Sequence, residues 1–369
     1  MLLNRTQKGF SLIELMISLT LGLLISAAVM QVYLTSIKTS SVQSGGTDIL
    51  EASIFGIQNI EKSIRLSNLG MADSNNPFTP LAGVVMTSDT SLVSASQTDK
   101  SKNNMNGIKM GGTVTSAGTD AIDAKYLTKS GIAASNITGL TSSQLTIQYE
   151  APQDMYDCEG TLVRGPIEIE RDGRLELIPG QVIVQRYYLR EVAQNDKSNY
   201  ESNIKSYELR CDAGRYVKEI LNSAELDLQK INDSTILKES RNIRDFGDIG
   251  EVVIPRVDYF GVLLGVEVVE VVEPLTSSVT LRYFTPEQYM SYLKGLATDS
   301  TITTDIISVK LSALVRADRP LTGETGASRF IIFGEPKTLS ADTSKAFIRR
   351  VYESNIMLRN SRAIKESSI

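Results

Sequence analysis

Glu14 is the only charged residue between Phe10 and Leu34, a run of 25 residues. An acidic side chain inside an apolar span costs a few kcal/mol unless it is paired. Cutting the peptide bond between Gly9 and Phe10 would free a positively charged α-amine one helical turn from Glu14. That amine, on the same or a neighbouring copy, is its natural partner, because the run holds no other cation. The only two cysteines, Cys158 and Cys211, are the other pair able to form a bond. On the exported side of a membrane a disulfide is expected, with two buried free thiols as the alternative. The bridge would close a loop of about 50 residues and stabilise by roughly 3–4 kcal/mol in the chain-entropy model.

Little else in the 369 residues points to chemistry. There is no histidine, which removes the usual general base, the commonest transition-metal ligand, and every Ser-His or Cys-His arrangement. No CxxC, GxSxG, P-loop or strand-following GxGxxG occurs. Asp245, Asp248 and Glu251 lie near two turn glycines, but their spacing is not that of an EF-hand loop, and a solvated acidic turn is the expected reading. A net charge of −5 leaves no basic excess for bulk nucleic-acid binding. Arg349-Arg350 reads as a solvated face. Neither an enzyme, nor a metal site, nor a cofactor is expected.

These residues must be positioned by a membrane helix. From Phe10 to Leu34 a helix would span roughly 37 Å, enough for a ~30 Å hydrocarbon layer. Arg5 and Lys8 precede it and set the N-terminus on the cytoplasmic side, so the chain beyond about residue 38 is exported. A secretory signal cleaved near Ser26 and Ala28 fits less well, since the apolar run continues through Val29, Met30, Val32 and Tyr33. A plain signal anchor leaves Glu14 unexplained.

Beyond the span, Gly45-Gly46 should break, melt or kink the helix at a cost of about 2 kcal/mol relative to alanine. Helix is expected to resume at Asp48, with Glu51 three residues on, and to pack Ile54, Ile57, Ile60 and Ile64 on a sheet. Residues 86–143 are rich in Ser, Thr, Asn and Gly and read as a long surface insertion, partly disordered, with few core-forming residues. Strand patterns follow at Leu145–Tyr149, Ile167–Leu177 across Asp172-Gly173, Val182–Leu189, Val252–Val272, Val279–Tyr283 and Ile307–Val315. In the last, Ser308, Lys310 and Ser312 should face away from a one-sided core. Thr285-Pro286-Glu287-Gln288 starts a capped helix, and residues 216–231 are a further helix candidate. One long helix followed by mainly antiparallel strands gives an α+β class.

The stretch Lys8-Gly9-Phe10-Ser11-Leu12-Ile13-Glu14-Leu15 resembles the class III signal of type IV prepilins and type II secretion pseudopilins. The resemblance implies that a membrane prepilin peptidase cuts after Gly9 and N-methylates Phe10, and that Glu14 guides docking into a filament. It also implies a pilin-like fold. Residues 1–9 would be the leader, 10–69 the N-terminal helix with 10–34 in the membrane, and 70–369 a β-rich periplasmic or extracellular domain. Further blocks at Ile57–Gly70, Val309–Arg316, Arg349–Tyr352 and Ile356–Asn360 resemble large minor pilins of the PilW type, akin to the J-type pseudopilin. The chain departs from that pattern at Met71, where the family usually has Cys after Gly, in its paired glycines, and in its Ser/Asn-rich insertion.

The function so implied is structural: a minor pilin that primes or joins a type IV pilus for adhesion, twitching or DNA uptake. Its partners would be prepilin peptidase, other minor pilins, the major pilin and the inner-membrane assembly platform. It would sit first in the inner membrane and then in the pilus. A J-like pseudopilin of type II secretion is the near alternative. A membrane-anchored exported enzyme, ligand-binding protein or adhesin is the alternative from another class.

Overall fold

The computed structural model describes residues 9, 11–89, 102–110, 122–171, 173–218, 242–272, 276–296, 301–321, 325–341, 343 and 346–361. Helix α1, Leu12–Leu66, is followed by strands β1 (Lys129–Ala133), β2 (Ser142–Glu150), β3 (Val182–Glu191), β4 (Tyr207–Tyr216), β5 (Glu251–Ile254), β6 (Val257–Val272) and β7 (Thr276–Phe284). Helix α2 (Pro286–Gly295) then precedes β8 (Ile302–Pro320), β9 (Arg329–Ile332), β10 (Glu335–Thr338) and β11 (Phe347–Met357). A first antiparallel sheet has the order β5-β4-β3-β2-β1, and a second has the order β7-β6-β8-β11. The expected α+β class, a long helix followed by antiparallel sheet, is what the chain forms.

One core joins the two sheets to the second half of α1. Ile49, Ile60 and Ile64 meet Leu145, Ile147 and Tyr149 of β2, Leu209 of β4, Phe260 and Leu264 of β6, and Val309, Leu311 and Val315 of β8. Ile54 is not part of this stripe and is exposed. α2 starts as expected, with reciprocal capping between Thr285 and Gln288.

The expected break at Gly45-Gly46 does not occur, and no new helix starts at Asp48: α1 is continuous for 55 residues. The reason is tertiary. Gly45 is buried, and a Cβ there would lie 3.4 Å from Ala317 of β8 and 3.4 Å from Ile348 of β11. Gly56 sits tighter still, where a Cβ would lie 2.2 Å from Ile254 Cγ1 and 2.8 Å from the Val253 carbonyl oxygen. Gly56 lets the helix backbone close onto the sheet, and packing around both positions offsets the glycines' propensity cost. Gly56→Ala is therefore expected to lose about 1–3 kcal/mol by overpacking. Gly45→Ala meets only ordinary contacts and should be neutral or gain up to about 1 kcal/mol from helix propensity. Denaturant titration of both variants checks the contrast.

The insertion also departs from expectation. Residues 90–101 and 111–121 fall outside the described residues, but the parts on either side build a second core. Met105, Ile108, Ile122, Tyr126 and Leu127 pack with Val182, Val184, Tyr216, Ile243 and Phe246. They cover the face of the first sheet that points away from α1. Asn103, Asn104 and Asn136 of this segment are buried, not solvated. Asn104 accepts from the Met86 and Thr87 amides and donates to the Asn76 and Thr79 carbonyls. A buried amide with its hydrogen bonds satisfied carries little of the usual desolvation cost.

β8 is likewise covered on both faces, since Ser308 and Ser312 are buried along with Val309 and Leu311. The β9–β10 hairpin packs Phe330 and Ile332 with Tyr259, Leu314 and Leu339 over one end of this outer face. Ile167–Arg171 pairs with Arg174–Ile178 as expected. The helix candidate at 216–231 begins where β4 ends, and residues 219–231 lie outside the described residues.

Candidate functional site: the N-terminal processing and anchoring segment

α1 begins in a way the sequence reading missed. Ser11 is its N-cap, in an extended conformation, and its Oγ accepts from the Glu14 amide at 3.2 Å. Ser11 and Glu14 have the Ser-x-x-Glu spacing of a capping box, which was the available signal. Glu14 also lies in the first turn, where the positive end of the helix dipole favours a carboxylate. Gly9 is exposed, and a Cβ there would meet nothing within 4 Å. Arg5, Lys8 and Phe10 lie outside the described residues.

Every residue from Leu12 to Ser40 is exposed, although residues up to Leu34 are mostly Leu, Ile, Val, Met and Ala. A helix so long and apolar with no protein cover meets the length and composition needed to cross a bilayer. Its hydroxyls fold back onto the helix. Ser18 donates to the Glu14 carbonyl, Thr20 to Ile17, Thr35 to Gln31 and Thr39 to Thr35. That satisfies these four donors without water, which for Ser18 and Thr20, inside the apolar run, is what a hydrocarbon surrounding requires.

Residues 4–30 match the prokaryotic N-terminal methylation motif. The matched stretch contains Gly9, Phe10, Ser11 and Glu14 and ends within the exposed half of α1. The motif and the bare apolar helix together mark a membrane-anchored chain that carries a prepilin-type N-terminal signal. Among solved structures, a type IV-like pilin from Thermus thermophilus is similar, with 12% identity over 60% of this chain and 80% of that chain and a TM-score of 0.23. A score that low carries no weight for the fold, which stands on the contacts described above. No curated protein matches the chain.

The other residues singled out from the sequence fall elsewhere. Cys158 and Cys211 form a disulfide that ties the 157–161 turn to β4. Asp245, Asp248 and Glu251 do not converge: Asp245 pairs with Arg215 at 2.9 Å, while Glu251 sits in β5. Asp248 instead joins Glu159 and Asp212, with one oxygen of each within 4.8 Å of the others. Arg186 binds Asp212 at 2.6 Å and neutralises part of that cluster. Burial, together with the charges of Asp248 and Asp212, pushes the Glu159 carboxyl up to about 8. A raised carboxyl keeps its proton longer in the folded chain than in the unfolded one. Stability should therefore fall as pH rises from the ordinary value of 4.5 towards about 8. Glu159→Gln should flatten the slope of melting temperature against pH over that window.

Arg349 is not on a solvated face; Arg350 is. Arg349 Nε donates to Asp258 Oδ2 at 2.6 Å, and Asn136 Nδ2 donates to Oδ1 of the same carboxylate at 2.7 Å. Arg316 lies 3.7 Å from Asp258 and donates to Glu201 and to Ser206. All five of Arg349, Asp258, Arg316, Glu201 and Ser206 are buried. Burial alone would raise the Glu201 carboxyl, but Arg316 and Ser206 hold it below its ordinary value. It therefore contributes stability above that value and loses it as pH falls through its lowered pKa. The network links β6, β8 and β11 to the loop between β3 and β4.

Proposed function

We propose that this chain is the precursor of a minor pilin of the PilW type, with a structural and not a catalytic role. In this reading prepilin peptidase removes residues 1–9 and N-methylates Phe10. Residues 10–34 hold the protein in the inner membrane, with the N-terminus cytoplasmic and the β-rich domain of residues 70–369 in the periplasm. The mature chain then joins other minor pilins and the major pilin at the assembly platform and passes into the pilus. The observation that carries the reading is the methylation motif running directly into α1, whose first half is bare and apolar and whose second half is clamped into a domain. A body of two sheets and two cores, far larger than packing one helix requires, supports a specialised subunit over a filament's bulk component.

Mass spectrometry of the mature N-terminus tests this. The expected terminus is N-methylated Phe10. A mature chain starting at Met1, or cut near Val29, would overturn the reading.

A further inference from the structure

β7 is an edge strand, and among the described residues no strand pairs with its outer side. Alternate residues along its nine therefore present outward backbone N–H and C=O groups with no ladder partner among the described residues. Edge strands are commonly blunted by lysine, proline or a bulge. β7 contains neither lysine nor proline, and its register with β6 runs without interruption from Thr276 to Phe284. The alternate residues Val279, Leu281 and Tyr283 share one face and are 58%, 51% and 42% exposed. The row through Tyr283, Gly265 and Ser308 leads to Met357 of β11, which is 55% exposed, while Asn355 donates to the Tyr283 hydroxyl, so the apolar patch proper is confined to β7.

The occupant's chemistry follows from the strand's two faces. An added strand must be extended, with apolar residues at alternate positions that extend the Val279–Leu281–Tyr283 patch. On the other face the only charge of β7 is Arg282, whose guanidinium lies 5.8 Å from the Tyr292 ring centroid and meets no carboxylate among the described residues. A carboxylate on the incoming strand complements it.

A symmetric second copy from the same membrane does not fit. Gly45 lies against Ile348 and Glu61 against Ser354, so α1 and β11 run together. The helix advances roughly 24 Å between those points and the strand roughly 20 Å. The second sheet thus stands along the stem. Antiparallel pairing of β7 with its own copy needs a two-fold axis normal to that sheet, and this would point the second stem the opposite way. The Val272–Thr276 end of the β6–β7 pair also lies remote from the bare half of α1, because Glu270 pairs with Ile302, at the opposite end of β8 from Ala317. The same bilayer cannot cover it.

We infer that the outer edge of β7 is a strand-addition site for an extended, acidic segment of a different polypeptide with alternating apolar residues. The probe is a fluorescein-labelled octapeptide, Thr-Val-Glu-Val-Thr-Val-Thr-Val, titrated by anisotropy against the full chain in detergent. Saturable binding is expected, with slowed amide exchange along β7. Methylating the backbone nitrogens of two adjacent central residues should abolish it. Arg282→Glu should weaken binding at least about tenfold, and a peptide with lysine in place of its glutamate should restore it. Val279→Lys with Leu281→Lys should also weaken it. No saturable binding, equal binding of the N-methylated peptide, or no recovery on charge exchange would each overturn the inference. None of these readouts depends on cleavage after Gly9, so they stand apart from the test of the pilin reading.

Discussion

Asp258→Ala should destabilise the fold by about 3–5 kcal/mol, the expected cost of breaking a buried ion pair from one side. Asp258 carries the one carboxylate shared by Arg349, Asn136 and Arg316. Removing it leaves the buried Arg349 without its counter-ion, and leaves Arg316 with Glu201 as its one remaining carboxylate among the described residues. Burial already lowers the pKa of Arg349, with Asp258 opposing that loss. Arg349→Met combined with Asp258→Leu removes both charges and should recover much of the stability, since apolar replacement of a buried pair is often near neutral. Urea unfolding of the single and double variants tests this. A single-variant loss below about 1 kcal/mol would show the network to be slack.

Glu14→Val should leave processing intact while sharply reducing incorporation into filaments. Valine removes the cost of an acidic group in the span, so insertion becomes easier, not harder. Gly9 stays exposed, and Ser11 keeps its cap on the residue-14 amide, because that bond uses the backbone of residue 14. In the proposed reading, what is lost is the carboxylate partner of the α-amine that cleavage after Gly9 would free at Phe10. A hydrogen bond between charged groups is worth about 1.5–3 kcal/mol, so occupancy of the correct position should fall about 10- to 100-fold. The mature terminus is read by mass spectrometry and incorporation by immunoblot of sheared filaments. Wild-type incorporation in a strain carrying only the variant would count against the pairing role.

What the sequence disclosed was local. The apolar run, the strand character of β2 and β8, and the capping pair Thr285–Gln288 all express themselves within a few residues. What it hid depends on distant chain. Asn104 looks like loop polarity, but the amides and carbonyls that satisfy it lie 17–28 residues away. Gly45 looks like a breaker, and only its burial against Ala317 and Ile348 shows why the helix runs through it unbroken. Arg349 looked solvated because Asp258 is 91 residues away. At the N-terminus the lone Glu14 stood out, whereas Ser11 passed unnoticed, since serine is common in apolar helices and acts here through geometry.

The unbroken α1 has a mechanical meaning. A single rod of roughly 80 Å joins the bilayer to the folded body with no joint between them. Whatever azimuth the buried half adopts is handed directly to the domain above. Slipping the packing of the lower half by one residue would swing the body by about 100° around the stem. In the proposed pilin reading, a lone acidic residue near the foot of the rod would set not only depth but heading: which flank of the domain, and which strand edge, looks outward.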